Sequence, residues 1–162
     1  MIVEILDAVR EQCEWPMHKD DVAVLQNCIT AAGDGDYVEV GVKRGGSLCF
    51  AGLVKKFLGH SGKLYGIERA ASRKVEIDRN LSALGLEATV LYALSDPWPL
   101  GQDIRPVVAF IDGFHNRDWV TSDWKNLHPI TSRFVLFHDY GSNSRDPGVT
   151  EAVDKVVRME RG

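Results

Sequence analysis

The stretch that decides the fold is Asp36–Ser47, with the sequence DYVEVGVKRGGS. Its first part, Asp36–Val42, is short, rich in β-branched residues and bounded by glycine, which is typical of a strand. Gly45 and Gly46 then precede a stretch with helical spacing. Glycine lets the backbone approach a ligand closely, and the start of a helix offers N–H groups without partners. The stretch therefore predicts a strand, a ligand-binding loop and a helix in succession.

The alternation of strand and helix continues downstream. Short apolar runs predict four more strands, and segments with helical spacing lie between them. The predicted strands are Lys63–Glu68, Ala88–Ala93, Val107–Asp112 and Arg133–Asp139, and the predicted helices are Leu48–Leu58, Ser72–Leu84, Arg117–Leu127 and Val149–Met159. Apolar strands that alternate with helices are typical of a parallel sheet covered on both faces. We therefore expect an α/β fold with a doubly wound, mostly parallel sheet.

Two helices are predicted upstream of the first strand. Apolar residues from Ile2 to Val9 recur at helical spacing, and this helix should end before Pro16. A second helical stretch covers Asp20–Ala32. The expected organisation is a single domain of 162 residues, with N-terminal helices in residues 1–33 and an α/β core in residues 36–159.

Composition narrows the class of protein. The chain is 44% hydrophobic and 26% charged, which is typical of a soluble globular domain. It lacks the run of about 18 apolar residues that a membrane span needs, and its amino terminus does not resemble a secretory signal. A net charge of −4 argues against binding to a phosphate backbone. Three cysteines without metal-ligand or disulfide spacing suit a reducing cytoplasm.

Polar or glycine-rich residues stand where the predicted strands end. In doubly wound sheets, ligands bind beyond the carboxyl ends of the strands. Charged groups are also costly inside a core unless they are paired or ligated. The candidate site positions are Glu39–Ser47, Glu68, Ser95 with Asp96, Asp112–His115 and His138–Tyr140.

The glycine loop distinguishes between cofactors. A dinucleotide-binding loop would follow G-x-G-x-x-G, but position 43 is lysine. The observed pattern from Glu39 to Ser47 is E-x-G-x-x-x-G-G-S, which resembles motif I of the class I S-adenosylmethionine-dependent methyltransferases. The alternative is a tight turn between strand and helix that binds no ligand.

This resemblance implies S-adenosylmethionine as the cofactor. Glu68 would accept hydrogen bonds from both ribose hydroxyls, although it could also be a solvated residue at a strand end. Ser95 and Asp96 would lie near the adenine, with Trp98 available for stacking, although Pro97 and Pro99 also suit an ordinary turn. The implied cofactor-binding set is Glu39, Gly41, Gly45, Gly46, Ser47, Glu68, Ser95, Asp96 and Asp112.

A narrower resemblance starts at FIDGFH, residues 110–115. The D-G-x-H after the fourth strand, Asp123 in the next helix, the H-D pair after the fifth strand and the glycine-valine entry to the last helix resemble methyltransferase family 24. That family includes metal-dependent O-methyltransferases of sugars and natural products and relatives of cephalosporin hydroxylase. The match runs from Glu39 to about Val157. It implies methylation of a hydroxyl on a small molecule or sugar.

The same resemblance assigns the chemical roles. Asp112, His138 and Asp139 are the expected metal ligands, with Mg²⁺ or Mn²⁺ as the ion. His115 is the expected general base, since its unperturbed pKa of about 6.5 is close to neutral pH, and Asp112 belongs to the catalytic pair with it. The family pattern tends to have an acidic residue where this chain has His138, and imidazole suits Mg²⁺ poorly. His138 could instead cap its strand.

Two other functions use the same residues. His115, His138 and one aspartate could form an iron site for oxygenation, or the chain could bind the cofactor without catalysis. The sequence ends at Arg161 and Gly162 without the antiparallel hairpin that closes class I methyltransferase sheets, so we expect a reduced sheet or a trimmed form. Its uncovered fifth strand predicts a homodimer.

Overall fold

The computed structural model describes residues 2–101, 103–141 and 147–160. Within these ranges the helices are α1 (Ile2–Cys13), α2 (Lys19–Ala32), α3 (Gly46–Leu58), α4 (Lys74–Ala83), α5 (Arg117–Leu127) and α6 (Pro147–Glu160). The strands are β1 (Asp36–Val40), β2 (Leu64–Ile67), β3 (Thr89–Leu91), β4 (Pro106–Ile111) and β5 (Phe134–Phe137). A short 3₁₀ turn, Ala71–Arg73, precedes α4.

Strand β1 lies at the centre of a five-stranded sheet with the order β3-β2-β1-β4-β5. All four pairings are parallel. The chain moves outward from β1 through β2 to β3 and then returns to the other side of β1 as β4. The strand order therefore reverses between β1 and β4, which is where ligands bind in such sheets. The predicted doubly wound parallel sheet is confirmed.

The strands finish level with one another. Val40 pairs with Ile67 on β2 and with Ile111 on β4, and Ile111 pairs with Phe137 on β5. The residues that follow each strand therefore leave the sheet along one rim. This register brings together the polar residues that the sequence places after separate strands.

Helices cover both faces of the sheet because its strand side chains alternate. Tyr37, Val108 and Phe110 pack into a core shared with α1, α2, α3 and α4. Their neighbours Val38 and Ala109 pack into a second core shared with α5 and α6. With both faces buried, β1 is apolar from Tyr37 to Val40 except at Glu39.

All five strands end earlier than their sequence patterns predict. Strands β1, β3 and β5 end at Val40, Leu91 and Phe137, each two residues before the predicted end, and β2 and β4 end one residue early. Gly41, Lys43 and Asp139 have φ angles of 94°, 55° and 59°, which no extended strand can contain. The backbone thus turns sharply at the rim, at the positions expected to bind ligands.

The helices match their predicted positions closely. The predicted helix over residues 72–84 opens with the 3₁₀ turn, and the last helix begins at Pro147, two residues before its predicted start. The side chains of Val157 and Met159, predicted to lie in that helix, are outside the described residues, as are residues 142–146 of the preceding loop. None of the helices in the described ranges combines the length and apolarity needed to cross a bilayer.

Candidate functional site

Two cavities open at the rim of the sheet. The first, here called the Glu68 cavity, has a volume of about 310 Å³ and is lined by the ends of β1, β2 and β4 with Glu68, Ser95 and His115. The second, the Trp15 cavity, has a volume of about 470 Å³ and lies against the segment between α1 and α2. Their shared wall consists of Gly41, Lys43, Asp112, His138 and Asp139. A ligand in one cavity can therefore meet a ligand in the other at this wall.

Gly41 is required by the fold itself. Its φ is 94°, and a Cβ at this position would lie 2.0 Å from the backbone oxygen of Asp112. Any side chain would separate the end of β1 from the end of β4 and disturb the shared wall. Gly46 is similarly constrained, because a Cβ there would lie 2.3 Å from the Trp15 ring. These two glycines therefore satisfy protein packing, whatever ligand the loop binds.

Glu39 lies behind the glycine loop rather than in either cavity. It is 0% exposed, and its carboxylate accepts hydrogen bonds from the Tyr37 hydroxyl at 2.8 Å and the Ser47 hydroxyl at 2.6 Å. Burial raises the pKa of Glu39 to about 8, although both hydroxyls oppose the shift. Of the cofactor residues predicted here, Glu39 therefore ties β1 to the start of α3, whereas Ser47 lines the Trp15 cavity.

Glu68 lies where the sequence placed it, in the wall of the first cavity. Its Oε2 accepts a hydrogen bond from the Lys43 backbone N–H at 2.7 Å, and its Oε1 accepts one from the Ala70 N–H at 2.8 Å. The carboxylate is thus held in one orientation by the glycine loop and by its own turn. Each oxygen keeps a further lone pair, which a ligand hydroxyl could use.

Asp112, His138 and Asp139 form one compact cluster in the shared wall. The Nδ1 atom of His138 lies 3.1 Å from Asp112 Oδ1 and 2.8 Å from Asp139 Oδ2. One ligand atom from each residue lies within 4.8 Å of the others, so the three could hold a metal ion. Two carboxylate oxygens and an imidazole nitrogen suit Mn²⁺, Fe²⁺ or Zn²⁺ better than Mg²⁺.

The electrostatics of this cluster favour the charged forms of His138 and Asp112. Burial would lower the pKa of His138, but hydrogen bonding and charge from Asp112, together with Asp139, raise it to about 9. Burial would likewise raise the pKa of Asp112, but His115 and His138 hold it below its usual value. A divalent cation would replace the proton that now joins the imidazole to these carboxylates.

His115 joins the cluster from the side of the first cavity. Its Nε2 lies 3.4 Å from Asp112 Oδ1 and 3.6 Å from Asp139 Oδ2. It lines the Glu68 cavity, whereas His138 lines both cavities. The D-G-x-H turn and the H-D pair, separate in sequence, thus converge on the same two carboxylates.

No protein-family model matches the chain, and no curated protein matches its sequence. Solved structures do match its fold. A protein assigned as a caffeoyl-CoA O-methyltransferase from Staphylococcus aureus aligns with a TM-score of 0.71 and 15% identity, over 97% of this chain and 81% of that one. An S-adenosylhomocysteine-bound methyltransferase from Podospora anserina aligns with a TM-score of 0.71 and 13% identity, over 98% and 78%.

A third match is the O-methyltransferase TomG of tomaymycin synthesis from Streptomyces achromogenes, in complex with S-adenosylmethionine. Its TM-score is 0.63 at 16% identity, over 96% of this chain and 77% of that one. The chain has the Rossmann-like methyltransferase fold. At these identities the likeness establishes the architecture alone.

Ser95 and Asp96 are adjacent in sequence but differ in their position relative to the Glu68 cavity. Ser95 lines the Glu68 cavity, but Asp96 is exposed, lies outside the lining and accepts a hydrogen bond from the Ser122 hydroxyl at 3.0 Å. Trp98 packs into the second core instead of facing the cavity, so it is not placed to stack on a base there. Leu94 lines the Glu68 cavity.

Several residues that line the methyltransferase-fold cavities had no distinctive sequence signal. Arg69 and Phe114 line the Glu68 cavity, with the guanidinium carbon 4.5 Å from the ring centroid. Trp15, in the segment between α1 and α2, and Asp21, in the first turn of α2, line the second cavity. Phe114 lies within the FIDGFH motif. No sequence pattern predicted that the segment before α2 would lie near the end of β5.

Asp123, a feature of the family resemblance, lies beneath the D-G-x-H turn. It is 1% exposed, and neither of its carboxylate oxygens makes a hydrogen bond within the described residues. Burial raises its pKa to about 6, and the nearby polar side chain of Ser95 offsets this only in part. A Cβ on Gly113 would lie 3.4 Å from Asp123 Oδ2. Asp123 therefore supports the turn and lines neither cavity.

Proposed function

We propose that this protein is an S-adenosylmethionine-dependent methyltransferase that methylates a hydroxyl oxygen of a small molecule such as a sugar. The observation that carries the proposal is the shared wall. Asp112, His138 and Asp139 lie between a cavity built around Glu68 and a second, larger cavity. Methyl transfer needs two bound molecules that meet at one point, with a group that takes up a proton there.

The Glu68 cavity is the proposed cofactor site. S-adenosylmethionine, when bound, supplies an activated methyl group. Glu68 would accept hydrogen bonds from the ribose hydroxyls, because its oxygens face the cavity and are already oriented by two backbone N–H groups. Ser95, Leu94 and Phe114 would surround the adenine, and the glycine loop would lie along the remainder of the cofactor.

Asp112, His138 and Asp139 are the proposed ligands of a divalent metal ion. Their donor atoms are close enough and of suitable type, and Mn²⁺ fits the mixed oxygen and nitrogen set better than Mg²⁺. A divalent cation supplies a Lewis acid that lowers the pKa of an acceptor hydroxyl. His115 is the proposed proton acceptor, since Asp112 and Asp139 hold its Nε2 at the edge of the same cluster.

The Trp15 cavity is the proposed acceptor site. It offers an aromatic ring at Trp15, a carboxylate at Asp21 and a cationic side chain at Lys43, all bordering the shared wall or its approach. Such a mixture suits a polar small molecule. A cytoplasmic location, a homodimer and the absence of a nucleic-acid or membrane partner, all predicted by the sequence, are part of this proposal.

A calorimetric titration tests the proposal. S-adenosylhomocysteine should bind, NAD should not, and Mn²⁺ should bind more tightly than Mg²⁺. Methyl transfer from labelled S-adenosylmethionine to a library of hydroxyl compounds then tests catalysis. Binding of NAD in place of S-adenosylhomocysteine would overturn the proposed cofactor, and cofactor binding without turnover of any hydroxyl would favour a non-catalytic binding protein.

The metal assignment is tested separately with Asp139→Asn. Asn removes the charge yet tolerates the left-handed backbone that Asp139 adopts, with φ of 59°. We expect Mn²⁺ affinity to fall at least tenfold while the affinity for S-adenosylhomocysteine changes less than twofold. Asp118→Asn, on an exposed residue of α5, is the control and should alter neither affinity.

A second candidate function is iron-dependent oxygenation. It is favoured by one observation: both His115 and His138 approach Asp112 Oδ1, at 3.4 Å and 3.1 Å. Two imidazoles and a carboxylate are the ligand set of many non-haem iron oxygenases. Oxygen consumption with Fe²⁺ in the absence of S-adenosylmethionine would support this function over methyl transfer.

A further inference from the structure

Both ring nitrogens of His138 face acidic side chains. Its Nδ1 faces the Asp112 and Asp139 carboxylates at 3.1 Å and 2.8 Å. Its Nε2 lies 3.8 Å from Oδ2 of Asp21, a residue in the first turn of α2. The ring plane is also braced by Phe110, whose ring centroid lies 6.0 Å away in an edge-to-face arrangement. The two nitrogens therefore have distinct surroundings.

Metal ligation would assign the proton of this ring. A nitrogen that donates its lone pair to a metal cannot also carry a proton. The neutral imidazole carries a single N–H proton, on one of its two nitrogens. Only Nδ1 lies beside the other two candidate ligands, so Nδ1 would be the ligand atom. The proton must then reside on Nε2, the nitrogen that faces Asp21.

We propose that Asp21 is a positioning residue that holds His138 in the Nε2–H tautomer and so prepares Nδ1 as a metal ligand. This inference rests on the proposed metal site and extends it to a residue outside the α/β core. Carboxylates that accept the second N–H of a ligating histidine fix both its tautomer and its orientation. The 3.8 Å separation can be closed by a small rotation of the half-exposed Asp21 side chain.

The fold explains how Asp21 reaches this place. Helix α2 packs against α3 and contacts β4 and β5, the two strands that Asp112 and His138 directly follow. Its first turn follows the segment that lines the Trp15 cavity, and Asp21 itself lines that cavity. Asp21 is about half exposed, so its carboxylate can move without disturbing packed neighbours. The N-terminal helices thus complete a site whose other residues come from the sheet.

The first test measures Mn²⁺ affinity by calorimetry in the full-length chain. Loss of a carboxylate behind a ligating histidine commonly costs about 10–100-fold in metal affinity, and we expect at least a tenfold loss for Asp21→Ala. Asp21→Asn, which keeps an acceptor oxygen, should lose less. Asp20→Ala is the matched control, since it removes the same charge from the same helical turn but does not line the cavity, and it should change affinity less than twofold.

The second test observes the tautomer directly. In the Zn²⁺-bound protein labelled with ¹⁵N-histidine, long-range ¹H–¹⁵N spectra should show His138 protonated at Nε2. In Asp21→Ala, the Nε2 resonance should shift, because its N–H no longer faces a carboxylate, while Asp20→Ala should match the unaltered protein. A positioning role predicts both the shift and the loss of affinity, whereas a general effect of charge predicts equal losses in the two alanine variants.

The outcomes separate this inference from the proposed function. Equal Mn²⁺ affinities for Asp21→Ala and Asp20→Ala, or a Zn²⁺-bound His138 protonated at Nδ1, would overturn the role of Asp21 alone. Absence of Mn²⁺ and Zn²⁺ binding in the unaltered protein would overturn the metal site and this inference together. Binding of S-adenosylhomocysteine, measured in the same samples, reports independently on the cofactor half of the proposed function.

Discussion

The hydroxyl of Ser47 donates a 2.6 Å hydrogen bond to Oε1 of Glu39, beneath the glycine loop and out of contact with solvent. This pair joins the last part of β1 to the first turn of α3. The Tyr37 hydroxyl completes the arrangement from the opposite oxygen. The acidic residue of the E-x-G pattern, which the resemblance assigned to the cofactor, is thus a buried tie between two elements of the fold.

The buried Glu39 should make the stability of the protein depend on pH. Its pKa rises from 4.5 to about 8 on folding, so the folded state keeps a proton that the unfolded state releases. The contribution of Glu39 to the free energy of unfolding should therefore be fully present below pH 4.5 and be lost as pH rises toward 8, with a slope approaching about 1.4 kcal/mol per pH unit. Urea unfolding at pH 5.5, 6.5 and 7.5 measures this contribution.

The variant Glu39→Gln should lose that slope, since glutamine resembles the protonated acid and does not titrate. The free energy of unfolding of Glu39→Gln, relative to that of the unaltered protein, should increase as pH rises from 5.5 to 7.5. Glu87→Gln, on an exposed residue, is the control and should retain the original slope. Identical slopes in all three proteins would show that Glu39 is ionised in the folded state.

Gly41→Ala should destabilise the protein for two separate reasons. A non-glycine residue at φ of 94° costs about 1–3 kcal/mol in backbone strain. The added Cβ would also meet the Asp112 carbonyl at 2.0 Å, which forces β1 and β4 apart. We expect the free energy of unfolding, from urea denaturation, to fall by more than about 3 kcal/mol if the variant folds.

Gly59→Ala separates these two effects. Gly59 also has a positive φ, of 70°, but a Cβ there would meet no heavy atom within 4 Å. Its variant should therefore show the cost of backbone strain alone. Gly101→Ala, with neither a positive φ nor a close neighbour, should be nearly neutral. Equal losses for Gly41→Ala and Gly59→Ala would contradict the close approach of the two strand ends.

Much of the fold was predictable because local patterns and the sheet architecture agree. Apolar strands such as VVAFI could only be buried on both faces, and parallel strands place their carboxyl ends on one rim. That rule alone brought Asp112, His138 and Asp139 together before any coordinates. Asp112 and Asp139 are 27 residues apart in the sequence. Without the sheet topology, this separation does not predict how far apart they lie in space.

Other parts of the site were not predictable from local patterns. The glycine loop was interpreted as a ligand loop, but Gly41 and Gly46 are also demanded by contacts with Asp112 and Trp15, residues far away in sequence. Asp21 looked like one more acidic residue at a helix start. Its position beside His138 depends on how α2 packs against β4 and β5, which periodicity does not specify.

Glu68 and Asp96 should differ sharply in their contribution to cofactor binding. Glu68→Gln exchanges an oxygen for an NH₂ group that must face a backbone N–H donor, and it removes a charged acceptor from the cavity. Losing hydrogen bonds to a charged group costs about 1.5–3 kcal/mol, or roughly 10–100-fold in affinity. Calorimetry with S-adenosylhomocysteine should show this loss.

The matched variant Asp96→Asn should change the affinity for S-adenosylhomocysteine less than twofold. Asp96 is exposed, bonds to Ser122 and lies outside the cavity lining. A tenfold loss in Asp96→Asn would show that the turn after β3 closes over the cofactor in a different arrangement. An unchanged affinity in Glu68→Gln would remove the proposed ribose acceptor.

The outer edge of β5 should pair with a second copy of this chain. Within the described residues, β5 ends the sheet, and its partner on the inner side is β4. The His138 N–H bonds to Ile111 on β4, so in a parallel ladder the N–H groups of Val135 and Phe137 point away from the sheet. An unpaired apolar edge favours association with another chain.

Light scattering should therefore give about twice the monomer mass of 18.0 kDa. The amides of Val135 and Phe137 should exchange slowly with solvent deuterium at high protein concentration and faster on dilution, because pairing is lost as the dimer dissociates. The amide of Leu136, which lies on the β4 side, serves as the internal control and should stay protected throughout. A monomeric mass, or equally fast exchange of Val135 and Phe137 at all concentrations, would show that this edge faces solvent.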